Sequence, residues 1–321
     1  MNRHDLARFY LQRLVLAWAF LLVASVGVFS LVHLAPGDPV RALLGTRPAN
    51  PETIMALRMR YHLDDPLVVQ YGKWLSQILQ ADLGQSISGN RSVVSMLGER
   101  VGVTAALVLI GTFVVLLAGI LLGVVAAFRP GSMLDRATVV FGVVGISFPS
   151  FVTGVVLIYV FGATLGWFPT FGAGTGFADQ AWHLALPSLA LVLSVMAIVT
   201  KITRTAVVEE LEKDYVAFAR SRGLDPTRIA FAYVLRNALV PVVTAAGIVV
   251  MSLIANAVYV EITFALPGLG SLMVDAVQKR DFPVIQGATL VYTCFVITLN
   301  LVIDGIYALV DPRIRLSTVA V

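Results

Sequence analysis

The residues able to do chemistry in this chain are few and scattered. Gly145-Ile146-Ser147-Phe148-Pro149 approaches the G-x-S-x-G turn of serine hydrolases but carries Pro149 where the last glycine belongs. Ser147 paired with His183 therefore makes a poor nucleophile and base, and Ser147 reads as a hydrogen-bonding residue within a helix bundle. The histidines, at 4, 33, 62 and 183, are too far apart for a local ligand pair such as H-x-x-x-H. The single cysteine, Cys294, lies in an apolar run and can form neither an intrachain disulfide nor a thiolate cluster. The only Gly-Lys pair, Gly72-Lys73, is followed by Trp74, so the chain lacks a phosphate-binding loop and is not expected to hydrolyse ATP. What remains is a sparse set of polar and helix-breaking residues inside apolar runs: Ser147, Pro149, Ser150, Thr153, Asn256 and Asn300. Glu261 and Asp304 stand near the ends of such runs and read as hydrogen-bonded or snorkelled carboxylates. No charge falls mid-run, whereas ion-coupled carriers commonly keep one there.

Those positions must be held by helices in a bilayer. Of 321 residues, 58% are hydrophobic and only 13% charged, about half the ~25% of a soluble domain. A chain this long could not cover a water-soluble surface, and the composition gives an all-α polytopic membrane protein. Charge-free stretches fall at 14–37, 101–128, 137–178, 180–200, 237–260 and 282–303, each long enough to cross ~30 Å of hydrocarbon. In 137–178, Trp167-Phe168-Pro169 and the glycines 172, 174 and 176 mark an interfacial belt and a loop, which leaves one span over about 137–162. Pro149 near its centre predicts a kink. Six transmembrane helices result.

Charge sets the orientation. With the N-terminus inside, the segments 1–13, 129–136, 201–236 and 304–321 hold 14 Lys and Arg, against 2 in the outer loops 163–182 and 261–283. Splitting 137–178 into two spans would move the basic 201–236 segment outside, so the count favours six. Arg3, Arg8 and Arg13 precede a first apolar run too long for a signal peptide, and an uncleaved first helix is expected. The organisation is then a cytoplasmic tail 1–13, a first helix 14–35, an extracytoplasmic region 36–100, a five-helix core 101–310 with a cytoplasmic loop 204–236, and a tail 311–321.

Two loops carry recognisable helices. Asp64-Asp65-Pro66 is placed to cap a helix whose Leu67, Tyr71, Trp74, Leu75 and Ile78 share one face. That helix either lies on the protein or membrane surface or docks an extracytoplasmic partner. In 201–236, Val207, Val208, Leu211, Tyr215, Phe218 and Ala219 recur as one helix face, with Arg220 and Arg222 in the last turn and Gly223 as a left-handed cap. Asp225 caps a second helix that has Pro226 at its first position.

Taken together, several motifs resemble the membrane permease subunits of bacterial ABC importers of the dipeptide/oligopeptide/nickel class. They are Leu34-Ala35-Pro36-Gly37-Asp38-Pro39, His62-Leu63-Asp64-Asp65-Pro66, Ala81-Asp82-Leu83-Gly84, and Asp214 to Leu224 followed by Leu235-Arg236-Asn237-Ala238-Leu239-Val240-Pro241. Leu266-Pro267-Gly268-Leu269-Gly270, Arg280 to Gly287 and Leu309-Val310-Asp311-Pro312-Arg313-Ile314-Arg315 complete the series, which covers nearly the whole chain. Two departures from the broader permease signature, Ala217 in place of its glutamate and the distance from Gly223 to Pro241, are typical of the peptide/nickel branch.

The resemblance implies the type I ABC importer permease fold in the bacterial cytoplasmic membrane, with both termini cytoplasmic. It implies half of a translocation path for di- or oligopeptides, completed by a second homologous permease. Two ATP-binding cassette ATPase subunits would bind below, carrying the ATP and Mg, with no cofactor on this chain, and an extracytoplasmic binding protein would deliver cargo. Leu211, Asp214, Tyr215, Ala217, Phe218, Ala219, Arg220, Arg222 and Gly223 would form the ATPase-coupling helix, with Leu211, Tyr215 and Phe218 as anchors. Ser147, Pro149, Ser150, Asn256 and Asn300 are the pore or gating candidates. Nickel chelates, glutathione or another small solute are alternative cargoes, and a stand-alone secondary transporter is the alternative of another class.

Overall fold

The computed structural model describes residues 3–34, 40, 50–60 and 64–310, and its regular structure there is helical apart from one isolated bridge between Gln85 and Ser92. The motif residues 35–39, His62, Leu63 and 311–315, and the C-terminal tail 311–321, lie outside the described residues. In chain order the helices are α1 (Arg3–Leu34), α2 (Pro51–Arg60), α3 (Leu67–Leu79), α4 (Val93–Phe128), α5 (Met133–Ser147), α6 (Ser150–Leu157) and α7 (Phe177–Leu211). They continue with α8 (Asp214–Ser221), α9 (Pro226–Arg228), α10 (Arg236–Thr263), α11 (Leu269–Gln278) and α12 (Phe282–Val310). Two π-helical segments, Ile158–Thr164 and Ile229–Leu235, extend α6 and join α9 to α10.

Among the described residues, five helices are long and apolar enough to cross a membrane: Tyr10–Leu34, Val93–Phe128, Phe177–Leu211, Pro226–Thr263 and Phe282–Gly305. The remaining expected span, 137–162, differs from its forecast. The kink is a full interruption, with Phe148 extended at φ −98°, ψ 119° and Pro149 at φ −57°, ψ 145°. Proline disfavours the helical region for the residue before it and brings no N–H to the ladder, so α5 stops at Ser147 and α6 restarts at Ser150.

The chain divides into two compact units. One comprises Met1–Val103 and Pro267–Thr298. In it α3 packs on α1: Ser25 Oγ lies 2.7 Å from the Tyr71 hydroxyl, His33 Nε2 lies 3.1 Å from Gln70 Oε1, and the Phe29 ring touches Tyr71 and Trp74. The expected aspartate cap of α3 is absent. Pro66 occupies the cap position with no side-chain bond, while Asp65 pairs with Lys73 and Asp64 with Arg58. Val93, Leu97, Leu269, Leu272, Ala276, Val284 and Ala288 form the apolar core of this unit.

Beside that core sits Asp281, fully buried. It accepts hydrogen bonds from Ser86 Oγ (2.6 Å), Ser88 Oγ (2.7 Å) and the backbone N–H groups of Ile87 (3.1 Å) and Ser88 (2.9 Å). Burial alone would push its carboxyl up, but the bonds from Ser86, Ser88 and Ile87 outweigh it and hold the group below its ordinary 3.8.

The other unit comprises Thr104–Leu266 and Leu299–Val321 and is organised around α7, against which α5, α6 and α10 pack. Glycines let α4 and α5 approach α7 closely. A Cβ at Gly119 would stand 2.8 Å from Val199 Cγ1, one at Gly123 2.7 Å from the Thr200 carbonyl oxygen, and one at Gly145 2.8 Å from that of Leu193. Gly119-Ile120-Leu121-Leu122-Gly123 is a G-x-x-x-G stripe, the spacing that brings membrane helices together by backbone contact. Glu261 is fully buried and accepts a 2.6 Å bond from Thr104 Oγ1, in keeping with the hydrogen-bonded reading of that carboxylate.

Candidate coupling site

The loop after α7 folds as a short helix bracketed by well-defined ends. Lys213 is extended (φ −69°, ψ 145°), and α8 runs two turns from Asp214 to Ser221. Gly223 has φ +71°, its N–H bonds the Arg220 carbonyl (3.0 Å), and the Leu224 N–H bonds the Ala219 carbonyl (3.3 Å). This paired arrangement satisfies carbonyls at the helix end, and glycine supplies the left-handed conformation without strain. Asp225 then accepts from the N–H groups of Thr227 (3.0 Å) and Arg228 (3.2 Å), with Pro226 beginning α9. The Thr227 hydroxyl, then these backbone donors, hold the Asp225 carboxyl below its ordinary value. The glycine and aspartate caps therefore form as the sequence indicates.

The predicted continuous face does not form. Because the chain breaks at Glu212–Lys213, the helical phase of α7 is not carried into α8. Val216 and Ala219 point inward and join Ala127, Ala206, Val207, Ile229, Val234 and Ala238 in a buried cluster, with Leu211 packed against it. Leu211 thus belongs to the bracing core rather than to the outward face of α8.

Asp214, Ala217, Phe218 and Ser221, spaced i, i+3, i+4 and i+7, form the exposed stripe, and Arg220, Arg222 and Gly223 are exposed beside it. Phe218 is 63% exposed, Phe231 in the following π-helical segment 71%, and the Arg222 guanidinium lies 5.6 Å from the Phe218 ring centroid.

Tyr215 behaves differently. Its hydroxyl donates to Glu210 in the last turn of α7 and accepts from Asn237 Nδ2 (3.1 Å) in the first turn of α10. Asn237 Nδ2 also donates to the Tyr233 carbonyl (3.0 Å). Burial and the Glu210 acceptor both push the phenol up, so it keeps its proton.

Sequence reasoning had no place for Asp135 and Arg204, whose forked pair (2.5 and 3.0 Å) ties α5 to α7. The Arg204 bond and the Gly131 N–H bring the Asp135 carboxyl down to about 2. Their 69-residue separation hides them, although each lies at the edge of an apolar run.

Among the pore candidates, Ser150 is buried and donates to Asn256 Oδ1 (3.0 Å), while Asn256 Nδ2 bonds the Ser252 carbonyl (2.8 Å). Pro149 occupies the cap position of α6 and Ser147 is exposed at the end of α5. Asn300 is elsewhere: its Oδ1 lies 3.7 Å from a Cβ built at Gly247, about 13 Å along α10 from Asn256 at 1.5 Å per residue.

Residues 119–316 match the family described as binding-protein-dependent transport system inner membrane component, and 6–108 match its N-terminal membrane component. The chain belongs to that family. It is a multi-pass permease subunit of an ABC importer. A Brucella suis biovar 1 protein with a provisional peptide-permease name is 38% identical over 317 residues, covering 97% of this permease and 99% of the relative. The glutathione transport system permease protein GsiC of Salmonella paratyphi A is 38% identical over 307 residues, covering 96% and 98%. A chain of the MetNI methionine ABC transporter, solved in inward-facing conformations, superposes with a TM-score of 0.54 at 18% identity. It covers 67% of this permease and 96% of that chain, which establishes the type I importer permease fold.

Proposed function

We propose that this permease forms half of a translocation path for di- or oligopeptides, paired with a second permease and fed by an extracytoplasmic binding protein. Two ATPase subunits bind its cytoplasmic side and carry the ATP and Mg, and this chain holds no nucleotide or catalytic residue of its own. The observation that carries the reading is the exposed Phe218, with the Arg222 guanidinium over its ring, on a two-turn helix whose back is braced by Val216 and Ala219, followed by a π-helical segment that exposes Phe231. Large side chains at the centre of a docking surface dominate its energy, and an apolar centre with a cationic rim suits a groove on another protein. Cargo follows the names of the relatives, one a peptide permease and one a glutathione permease. Glutathione is itself a small peptide, and it is the second reading.

Phe218→Ala is expected to weaken ATPase binding by about 2 kcal/mol, roughly thirtyfold. Co-purification of the ATPase subunits with the detergent-extracted permease measures it. Full retention together with wild-type peptide uptake would remove α8 as the coupling helix.

Sidedness is part of the same reading, with both termini, 129–136 and 201–236 in the cytoplasm. With Cys294 replaced, Gly174→Cys or Gln85→Cys should react in intact cells with an impermeant thiol reagent, whereas Ser132→Cys or Ser221→Cys should not. Labelling of Ser221→Cys from outside would overturn the orientation.

A further inference from the structure

The docking stripe of α8 and its brace account for how a partner is held, but not for how a push on so short a helix reaches the membrane. The apolar brace seats α8 by packing Val216 and Ala219 against Ala206, Val207, Ile229, Val234 and Ala238, an attraction that is itself non-directional. Directional hydrogen bonds add a tie to a neighbouring helix that depends on orientation as well as distance. Among the described residues of α8, the side chain that hydrogen-bonds to both flanking membrane helices is Tyr215.

The three polar groups form a short relay. The Tyr215 hydroxyl spends its one proton on the Glu210 carboxylate of α7 and its oxygen accepts from Asn237 Nδ2 of α10. Asn237 is itself held by the Tyr233 carbonyl (3.0 Å) of the π-helical segment that leads into α10, so the amide cannot swing without disturbing the start of that helix. The bond to Glu210 is charge-assisted, the stronger kind. The helices so tied pack along each other, and α10 goes on to contact α6 through Asn256 and Ser150.

We propose that the Tyr215 hydroxyl is the positioning group that transmits motion of the coupling helix to the ends of α7 and α10. The proposal rests on the reading of α8 as the ATPase-docking helix. It separates two roles within that helix: Phe218 grips the partner, and Tyr215 delivers the stroke.

The test uses the whole importer, purified with its ATPase subunits and reconstituted in vesicles, and reads peptide transported per ATP hydrolysed. Tyr215→Phe keeps the ring and deletes only the hydroxyl. ATPase retention and thermal stability should stay near wild type while transport per ATP falls roughly tenfold, equivalent to about 1.4 kcal/mol. Asn237→Ala and Glu210→Ala should reproduce the loss. Glu210→Gln, whose amide oxygen still accepts from the hydroxyl, should keep more of the ratio than Glu210→Ala. A wild-type ratio in Tyr215→Phe would overturn the relay, as would lower stability or yield at an unchanged ratio. Phe218→Ala run in parallel separates the two failures, because loss of ATPase subunits there upholds the docking reading whatever Tyr215→Phe shows.

Discussion

Asp281→Ala should expose the amides of Ile87 and Ser88 to hydrogen exchange roughly thirtyfold faster than in the wild type. The substitution removes the acceptor of two backbone N–H groups and two hydroxyls; the carboxylate itself is fully buried, while Ile87 is half-buried and Ser88 exposed. The hydroxyls can turn to other partners, but the N–H groups cannot. At about 1–3 kcal/mol for a stranded buried donor, and less where water can replace the lost acceptor as at Ser88, the loss is on the order of 2 kcal/mol. Because the folded carboxyl titrates below its ordinary 3.8, its contribution is complete above that value and disappears only as pH falls through the lower folded value. Protection of these amides should therefore have no Asp281-dependent change between about pH 5 and 8. Wild-type exchange rates in Asp281→Ala would show that the turn is held by something else.

Gly123→Leu should abolish a correctly packed permease. Even the first carbon of a side chain there would lie 2.6 Å from Thr203 Cβ and 2.7 Å from the Thr200 carbonyl, and a backbone oxygen cannot rotate away. Overpacking typically costs about 1–3 kcal/mol for a methylene or two, and a leucine at a helix crossing exceeds that range. Gly142→Ala is the matched control, since its Cβ would meet nothing nearer than Ala197 Cβ at 3.9 Å. Detergent-extracted Gly123→Leu should elute as aggregate and support no uptake, with Gly142→Ala like wild type. A monodisperse, active Gly123→Leu would refute the close crossing of α4 and α7.

The membrane helices were legible because lipid imposes long charge-free runs, and the caps around α8 because Gly223 and Asp225 act on neighbours a few residues away. Four features escaped for identifiable reasons. The face drawn through Val207, Leu211 and Tyr215 assumed one uninterrupted helix, and no proline or glycine marks the break at Lys213. The depth of the interruption at Pro149 depended on Phe148 adopting an extended conformation, which periodicity does not report. Asp281 meets Ser86 across 195 residues, and a pairing of that separation leaves no local trace. The glycine stripe at 119 and 123 was in plain view, but its meaning lay in Val199 and Thr203 on another helix.

The interrupted span has a consequence for biosynthesis. The α5 half has 15 residues, and α6 with its π-helical extension has 8 and 7, so each half extends about 22 Å at 1.5 Å per residue. Neither alone reaches across ~30 Å of hydrocarbon. An insertion machinery that samples segments by length and apolarity as they leave the ribosome would find neither half sufficient, so 133–164 has to be accepted as one unit. The break between α5 and α6 at Phe148–Pro149 weakens that acceptance until α7 arrives to pack against both halves. Emergence of α7 is thus expected to set the moment at which this part of the chain commits to the bilayer.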